Sequence, residues 1–290
     1  MEDPGYQIFT DATADLSVSM QETIPNVQIL PMQIEADGVS YACRTQSDMP
    51  KFYDLLSAGK TVRTTQITPL VYREAFEKVL QAGKDILYLC FSSGLSGTYN
   101  SAMLCAEELM EEYPERSIFC VDTRCASLGE GLLVYEAAHR QRAGMDIEAL
   151  RDWVLEHRLQ VCHWFTVDRF DELKRGGRVS AASAAVGHVL DIKPLLDVNE
   201  EGRLVVCKKP RGRRKAIGLQ MEHMEQGWLP ELSRTVIVGD ANEAAGAQQL
   251  EQAVLASFPE AEIIRAPIGP VIGAHTGPGM LALIYWGNNR

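Results

Sequence analysis

A continuous apolar run at residues 86–91, ILYLCF, which follows Asp85, constrains the fold of this chain more than any other segment. A strand that is apolar at nearly every position has to be covered on both faces, which is typical of a parallel sheet between two layers of helices. The flanking segments 72–81 and 98–113 carry apolar residues at helical spacing, and 117–121 is a second short apolar run. This alternation of strands and helices predicts a parallel, doubly wound α/β domain.

The second half of the chain has a different pattern. Apolar runs at 190–198 and 203–208 flank the polar turn NEEG, which is a hairpin signal. The chain ends with two apolar runs around a glycine-rich loop. Because 290 residues exceed what one core comfortably serves, we predict two closely packed domains. The predicted α/β fold has an N-terminal parallel doubly wound α/β domain at 1–157, with a small irregular insertion at about 31–68, and a C-terminal α+β domain with a mixed sheet at 158–290.

The charge balance limits the classes of partner. Lys and Arg total 28 and Asp and Glu total 39, so the formal net charge of −11 disfavours binding of nucleic acid over the whole surface. The seven cysteines include no C-x-x-C pair, which favours reduced thiols. The first residues, MEDPGYQIFTD, lack the regions of a signal peptide, and no window has the roughly 18 apolar residues of a membrane span. We therefore expect a cytoplasmic monomer without a metal site or a transmembrane segment.

The junction that follows the apolar run, FSSGLSGTYNSA at 91–102, has the composition of an anion-binding site. It joins the carboxyl end of a buried strand to a predicted helix, where unpaired N–H groups and the helix dipole attract negative charge. These residues alone leave a phosphate, a carboxylate and a reaction intermediate open, and Ser96 could equally be a simple helix cap. The small and hydroxyl residues of the junction are Ser92, Ser93, Gly94, Ser96, Gly97 and Thr98.

Three further stretches carry weaker signals. The segment 62–69, VRTTQITP, is rich in hydroxyl groups and precedes a predicted helix, so its threonines are cap or ligand candidates. The segment 269–279, GPVIGAHTGPG, places His275 among glycines, a density that is typical of backbone approached by a ligand or another chain segment. The segment 208–215, KKPRGRRK, is either a solvated surface or a docking surface for an acidic partner. It lacks the interleaved aromatic residues that stack on nucleic-acid bases.

Taken together and in this order, these stretches resemble the DegV family, which includes the fatty-acid-binding subunits of bacterial fatty acid kinase. The resemblance extends over nearly the whole chain. It rests on the motifs TDATADL at 10–16, TTQ at 64–66, SSGLSGTY at 92–99, VDT at 121–123, LKRGGRVS at 173–180, IKP at 192–194 and GAHTGPG at 273–279.

The resemblance implies a binding protein rather than an enzyme. Its ligand would be one long-chain fatty acid in a buried tunnel between the two domains, with no other cofactor. Hydroxyl groups at a helix N-terminus would hold the carboxylate. The residues expected around it are Thr64, Ser96, Gly97 and His275, with Thr65 and Ser93 as additional candidates.

The family resemblance also implies a protein partner. A fatty acid kinase catalytic subunit would take the presented carboxylate and form an acyl phosphate, and transient contact with a membrane is compatible with this role. No nucleic acid is expected as a partner. The expected docking surface is basic and consists of Arg178, Arg211, Arg213 and Arg214.

The sequence departs from the usual family pattern in two motifs. Thr65 stands where serine is usual and Ile67 where proline is usual, and Thr123-Arg124-Cys125 replaces the usual start of its loop. The key hydroxyl groups are kept, so these changes bear on ligand shape more than on ligand class. Two alternatives stay open. One is a serine hydrolase with Ser96 as nucleophile and His275 as base, for which no orienting acid is evident, and the other is a phospho-metabolite binder.

Overall fold

The computed structural model describes residues 5–45, 48, 51–179 and 191–290 of the chain. Parts of three sequence predictions lie outside these described residues. They are Ser180 of the LKRGGRVS motif, Leu190 of the predicted hairpin, and positions 46, 47, 49 and 50 of the predicted insertion.

Helices and strands alternate through the first half of the described chain and mix less regularly in the second. The strands are β1 (Tyr6–Asp11), β2 (Gln28–Leu30), β3 (Met32–Ala36), β4 (Val39–Cys43), β5 (Val62–Thr65), β6 (Asp85–Cys90), β7 (Ile118–Asp122), β8 (Val161–Thr166), β9 (Leu195–Val198), β10 (Leu204–Lys208), β11 (Thr235–Asp240), β12 (Glu262–Pro267) and β13 (Leu281–Trp286). The α-helices are α1 (Val18–Thr23), α2 (Phe52–Ser57), α3 (Pro69–Gln81), α4 (Thr98–Glu112), α5 (Leu128–Arg142), α6 (Ile147–His157), α7 (Asp171–Arg175), α8 (Arg213–Gly227), α9 (Ala244–Ser257) and α10 (Pro270–Thr276).

The first sheet is parallel throughout and has the strand order β2-β1-β6-β7 in the described residues. Strand β6, the apolar run of the sequence, is buried from its second residue to its last. Helix α3 packs against α4, and α5 packs against α6, and these pairs contact the sheet strands. The predicted parallel doubly wound domain is confirmed, because a strand that is apolar on both faces requires helices on both faces.

Pro31 separates two strands that belong to different sheets. Strand β2 ends at Leu30 in the parallel sheet, and β3 begins at Met32 in a separate antiparallel sheet of order β4-β3-β5. Proline has no N–H to donate to a ladder, so it stands where the chain leaves one sheet for another. The insertion was expected to be irregular, but its described part is an ordered three-stranded sheet. The short helix α2 lies between strands β4 and β5 of this sheet along the chain.

The second domain contains a mixed sheet of order β10-β9-β8-β13-β11-β12. Its pairs are antiparallel except β11 with β12, and β9 with β10 forms the predicted hairpin. Strand β12 was not predicted. Helices α8 and α9 contact one another and this sheet, while α5 contacts β8, β11 and β13 as well as β6. Helix α5 is buried on nearly every side because it lies between the two sheets.

The glycine-rich stretch near the end of the sequence contains a helix, which corrects the predicted loop. Helix α10 begins with Pro270, whose missing N–H costs nothing in a first helical turn, and ends before Gly277, which has a φ of 72°. Gly273 packs against helix α2. A Cβ added to Gly273 would lie 2.6 Å from Phe52 Cε1 and 2.7 Å from the Tyr53 hydroxyl. The glycine thus permits helix packing rather than marking a loop.

No helix in the described part of the chain is both long and apolar enough to cross a bilayer. Likewise, no group of three or more His, Cys, Asp or Glu side chains among the described residues is arranged to hold a metal ion.

Two buried carboxyl groups share a threonine hydroxyl next to the end of β1. The Thr13 hydroxyl lies 2.8 Å from Glu130 Oε2 and also contacts Asp11 Oδ1. A hydroxyl has one proton, so Thr13 can donate to only one of the two acids. Asp11 also accepts bonds from the Thr13 amide and the Tyr88 hydroxyl, which favour its ionised form. Glu130 therefore keeps its proton, and burial raises its pKa well above the ordinary value.

Replacing Glu130 with glutamine should flatten the dependence of stability on pH. The native protein holds the Glu130 proton that the unfolded chain releases above a pH of about 4.3, so the free energy of unfolding falls as pH rises, by at most about 1.4 kcal/mol per pH unit for one proton. Glutamine needs no proton and can still donate to Thr13. Urea unfolding of E130Q and of the exposed control E148Q measures both slopes. Equal slopes for E130Q and the unaltered protein would contradict the assignment.

Candidate functional site

The junction between β6 and α4 places one serine hydroxyl at the helix N-terminus. Ser96 Oγ lies 2.8 Å from the Thr98 hydroxyl and accepts a bond from the Thr98 amide at 3.3 Å. Ser96 thus lies just before the N-cap of α4, accepts from the first amide of the helix and also lines a cavity. The partial positive charge of the helix N-terminus is at this position, so an anion beside Ser96 is favoured.

The other serines of the junction are engaged elsewhere. Ser92 is buried and donates its hydroxyl to the Gly202 carbonyl at 2.7 Å, in the turn between β9 and β10. The Ser93 hydroxyl donates to Asp122 Oδ2 at 2.6 Å, and its amide donates to Asp122 Oδ1 at 3.1 Å. Ser93 is exposed and does not line the cavity, so this candidate has no contact with it.

Gly97 has a packing role in the structure. It occupies the N-cap position of α4, and an added Cβ would lie 2.6 Å from Gln66 Nε2. The missing side chain therefore lets the loop after β5 approach the start of α4. Gly97 is not among the residues that line the cavity.

Thr64 and His275 form the second half of the polar site. Thr64 Oγ1 lies 2.9 Å from His275 Nε2, although 211 positions separate the two residues in sequence. Both residues line the same cavity as Ser96. Thr65 is exposed and lies outside the cavity lining, because successive side chains of β5 point to opposite faces of the sheet.

His275 is held in place by a close backbone contact. An added Cβ on Gly176 would lie 2.4 Å from His275 Nδ1, so the glycine after α7 makes room for the imidazole. Burial and the nearby Arg178 guanidinium lower the pKa of His275 to about 4. The histidine is therefore uncharged at neutral pH.

Arg178 supplies the positive charge of the site. Its Nε donates to the Leu95 carbonyl at 3.3 Å, and Nη1 donates to the Gly176 carbonyl. It lines the cavity beside the other polar residues, and it forms no ion pair with a carboxylate among the described residues. The sequence assigned Arg178 to a docking surface, whereas its position in the cavity wall makes it available to an anionic ligand.

The cavity lies between the two domains and is mostly apolar. The cavity has a volume of about 70 Å³, and it opens into a larger space that is partly solvent. Its apolar walls come from both domains and include Phe91, Leu95, Phe165, Val271, Ile272 and Ile284. The polar site lies against these walls, so the cavity suits a molecule with one anionic group and an apolar body.

Four further polar residues, Thr13, Ser127, His163 and Thr276, line the cavity, and sequence reasoning did not name them as site residues. Thr13 bonds to the buried carboxyl groups described above. The Ser127 hydroxyl donates to Asp15 Oδ2 at 2.6 Å, and His163 Nε2 accepts from the Ala126 amide at 3.3 Å. The Thr276 hydroxyl donates to the Ile272 carbonyl at 3.2 Å. The three hydroxyl groups are therefore engaged within the protein, whereas His163 Nδ1 is buried with no partner among the described residues. Thr13 and Thr276 lie in motifs on which the family resemblance rests.

The geometry does not form a nucleophile and base pair. Ser96 Oγ is bonded to Thr98, whereas His275 Nε2 is bonded to Thr64, and no hydrogen bond joins Ser96 to His275 in the described chain. The neighbour of His275 Nδ1 is Gly176 rather than a carboxylate. A hydrolytic triad needs both contacts, so this arrangement favours holding a ligand over attacking it.

The basic stretch of the sequence divides into free and engaged arginines. Arg211 and Arg214 are exposed. Arg213 Nη2 donates to Asp168 Oδ1 at 2.6 Å and to the Gly279 carbonyl at 2.7 Å. Arg213 therefore does not belong to a free basic surface, which corrects that part of the prediction, because its charge is neutralised inside the second domain.

Comparisons with known proteins agree with this architecture. The family model described as an uncharacterised protein of the DegV family matches residues 6–288. A DegV domain-containing protein of Clostridium perfringens is 40% identical over 287 residues, which is 98% of each chain. A solved DegV lipid-binding protein of Thermotoga maritima superposes with a TM-score of 0.85 at 29% identity, covering 98% of this chain and 99% of that one. A solved DegV family protein of Thermus thermophilus, described by its fatty acid binding, superposes with a TM-score of 0.84 at 28% sequence identity and covers the same shares of the two chains.

Replacing Arg178 with glutamine should raise the pKa of His275 from about 4. Removing the nearby positive charge favours protonation of the imidazole, while burial continues to oppose it. A titration of the His275 ring signals by NMR measures the change, and R175Q, which alters an exposed arginine of α7, is the matched control. The electrostatic assignment fails if R178Q and R175Q leave the same His275 pKa.

Proposed function

The chain belongs to the DegV family, and we propose from its cavity that it binds one long-chain fatty acid as a carrier. The observation that carries the proposal is an apolar cavity whose polar groups at one site retain hydrogen-bonding capacity toward a ligand. The fatty-acid-binding Thermus thermophilus relative, which has the same fold over nearly the whole chain, supports the class of ligand.

The proposed carboxylate site uses one charge and two hydroxyl groups. Arg178 provides the charge, and Ser96 provides a hydroxyl beside the N-terminus of α4. Thr64 can donate to the carboxylate when neutral His275 donates its Nε2 proton to Thr64 Oγ1. His275 thus orients the threonine hydroxyl, and a buried carboxylate is not left unpaired.

The tail of the ligand would provide most of the affinity. Each buried methylene contributes about 0.8 kcal/mol, so a chain of roughly 16 carbons offers on the order of 10 kcal/mol before the costs of binding. The apolar walls of the cavity are suited to this burial. They disfavour the alternative of a small phospho-metabolite, which would leave those walls without an apolar partner.

We further propose that the bound carboxylate is presented to a fatty acid kinase catalytic subunit. The absence of a Ser96–His275 contact among the described residues supports a carrier over a hydrolase. The exposed Arg211 and Arg214 are the proposed docking residues, and Arg213 is left out because its ion pair with Asp168 is internal.

Loss of the two hydroxyl groups should weaken fatty acid binding while loss of their neighbours should not. Hydrogen bonds to a charged group contribute about 1.5–3 kcal/mol, so T64V and S96A should each weaken binding by roughly ten- to one-hundred-fold. T65V and S93A remove exposed hydroxyl groups next to them and should bind as the unaltered protein does. Displacement of a fluorescent fatty acid by palmitate gives the affinities.

Mass spectrometry of an organic extract of the purified protein tests the ligand class itself. Co-purified acids with about 14 to 20 carbons are expected for a carrier whose tail burial dominates. If no such acid co-purifies and palmitate does not bind, the proposed function is wrong. Labelling of Ser96 by a fluorophosphonate would instead support the hydrolase.

Reversing the charges of Arg211 and Arg214 should weaken coupling to the kinase and leave lipid binding intact. Electrostatic complementarity mainly affects the rate of association, so R211E/R214E should lower the rate of acyl phosphate formation at limiting carrier, and added salt should reduce the difference. An R234E variant changes a basic residue elsewhere and serves as the control. Unchanged coupling in R211E/R214E would remove these residues from the docking surface.

A further inference from the structure

Strand β7 is the outer strand of the parallel sheet and has one open edge. It pairs with β6 on one side only in the described chain. The Ile86 amide donates to the Ser117 carbonyl, and the Thr123 amide donates to the Cys90 carbonyl. Since the backbone groups of successive residues alternate in a ladder, residues 117, 119, 121 and 123 face β6, and 118, 120 and 122 face outward.

The outward backbone groups are largely unpartnered within the described residues. Arg158 Nη1 donates to the Asp122 carbonyl at 2.5 Å, which agrees with the outward direction of residue 122. The amide and carbonyl groups of Ile118 and Cys120 form no hydrogen bond with any described residue. Such an edge is a template for another strand, and proteins usually cover or guard it.

A groove with both apolar and charged walls runs along this edge between α4 and α6. Tyr99 and Met103 line it from α4, Leu155 lines it from α6, and Phe119 lines it from the strand itself. The Arg151 guanidinium lies over the Phe119 ring, 4.5 Å from its centre. Side chains of an added strand would therefore meet apolar contacts on the groove walls as well as backbone partners.

The carboxyl end of the groove carries two arginines without a carboxylate partner. Arg124 and Arg158 both line the groove, and neither forms a salt bridge with a described residue. The nearby Asp122 carboxylate is engaged, because it accepts from the Ser93 amide and hydroxyl and from the Arg124 amide. Burial and the like charge of Arg124 lower the pKa of Arg158, as expected for two neighbouring cations. This is a local positive charge in a protein of net charge −11.

We propose that the open edge of β7 and its groove bind an extended acidic segment of a partner protein by strand addition. Main-chain hydrogen bonds to Ile118 and Cys120 would provide affinity that is independent of sequence. Arg124 and Arg158 would select acidic side chains by charge complementarity, whereas Arg151 is paired with Asp152. The groove lies outside the lipid cavity, so this surface is separate from the proposed lipid function.

Pairing with a second copy of this chain is the less favourable occupant. Two β7 edges placed side by side would bring the arginines of both copies into one shared groove. Like charges across an interface are unfavourable, and charged residues on an edge strand are a common protection against such pairing. An acidic partner instead neutralises the charges.

The proposal is tested with a short synthetic peptide of alternating glutamate and valine, with a lysine-for-glutamate peptide as the matched control. NMR hydrogen exchange of the full chain is the readout. The amides of Ile118 and Cys120 should exchange rapidly in the free protein and become protected by the acidic peptide. The amides of Phe119 and Val121, which pair with β6, should be slow in both states.

Two variants separate backbone pairing from charge. C120P removes the outward N–H of position 120, a change that an edge strand tolerates, and should weaken binding of the acidic peptide and reduce the protection of the Ile118 amide. R124Q should weaken binding of the acidic peptide by about tenfold and reduce its salt dependence, while palmitate displacement stays unchanged. The R124Q result keeps the test valid if C120P does not fold.

Four results would overturn the proposal. The first is equal binding of the glutamate and lysine peptides. The second is binding without protection of Cys120, which would place the peptide elsewhere. The third is protection that appears with rising protein concentration alone, together with a larger mass in light scattering, because the occupant would then be a second copy. The fourth is that neither peptide binds, in which case the arginines only protect the edge from pairing.

Discussion

The carboxyl group of Asp15 joins the three segments on which the cavity depends. It accepts the Ser127 hydroxyl at 2.6 Å, at the start of α5, and the Gly269 amide at 3.0 Å, at the start of α10. Asp15 itself follows β1 in a left-handed conformation with a φ of 48°. Because α10 carries His275, the position of the polar site depends on a contact more than 250 positions apart in sequence. Burial raises the pKa of Asp15 to about 8, so an ionised carboxylate at this junction is electrostatically unfavourable.

The cavity separates polar groups that serve the fold from those that remain available. Thr13 and Ser127 line it, yet each hydroxyl is bonded to a protein group. His163 also lines it and accepts from the Ala126 amide, while its Nδ1 is buried with no partner among the described residues. At the other site, Ser96 and Arg178 bond mainly to neighbouring backbone or hydroxyl groups and retain unused donors, and the guanidinium adds a positive charge that attracts an anionic head group. This difference sets the orientation in the proposed complex.

The spacing of apolar residues along the sequence correctly predicted the helices and strands whose formation depends on that spacing. The apolar run of β6 and the helical spacing of α4 are visible without tertiary information, and both are where they were expected. Helix α10 was missed because its glycines lower helix propensity, and packing of Gly273 against Phe52 and Tyr53 outweighs that preference. The sequence predicted an irregular insertion from about residue 31, but it could not show that the chain enters a second sheet after Pro31.

The sequence motifs contained the residues of the site, but they did not show which of the side chains face the cavity. Thr64 and Thr65 are adjacent hydroxyl residues, and only the alternation of β5 decides which faces the cavity. Arg213 looks like its exposed neighbours until Asp168, 45 positions away, is brought beside it. Contacts at such separation are set by the fold, so the sequence could name the candidates and not their partners.

The positive charge of the polar site comes from Arg178 rather than from His275. This difference determines how binding of a carboxylate depends on pH. Burial and Arg178 keep the pKa of His275 at about 4, so the imidazole remains neutral above that pH. Arginine stays protonated throughout the physiological range. Above about pH 5 the imidazole does not change charge, while a fatty acid carboxyl is ionised beside a guanidinium. The site therefore presents one constant positive charge, and a neutral histidine orients Thr64 instead of competing for the anion.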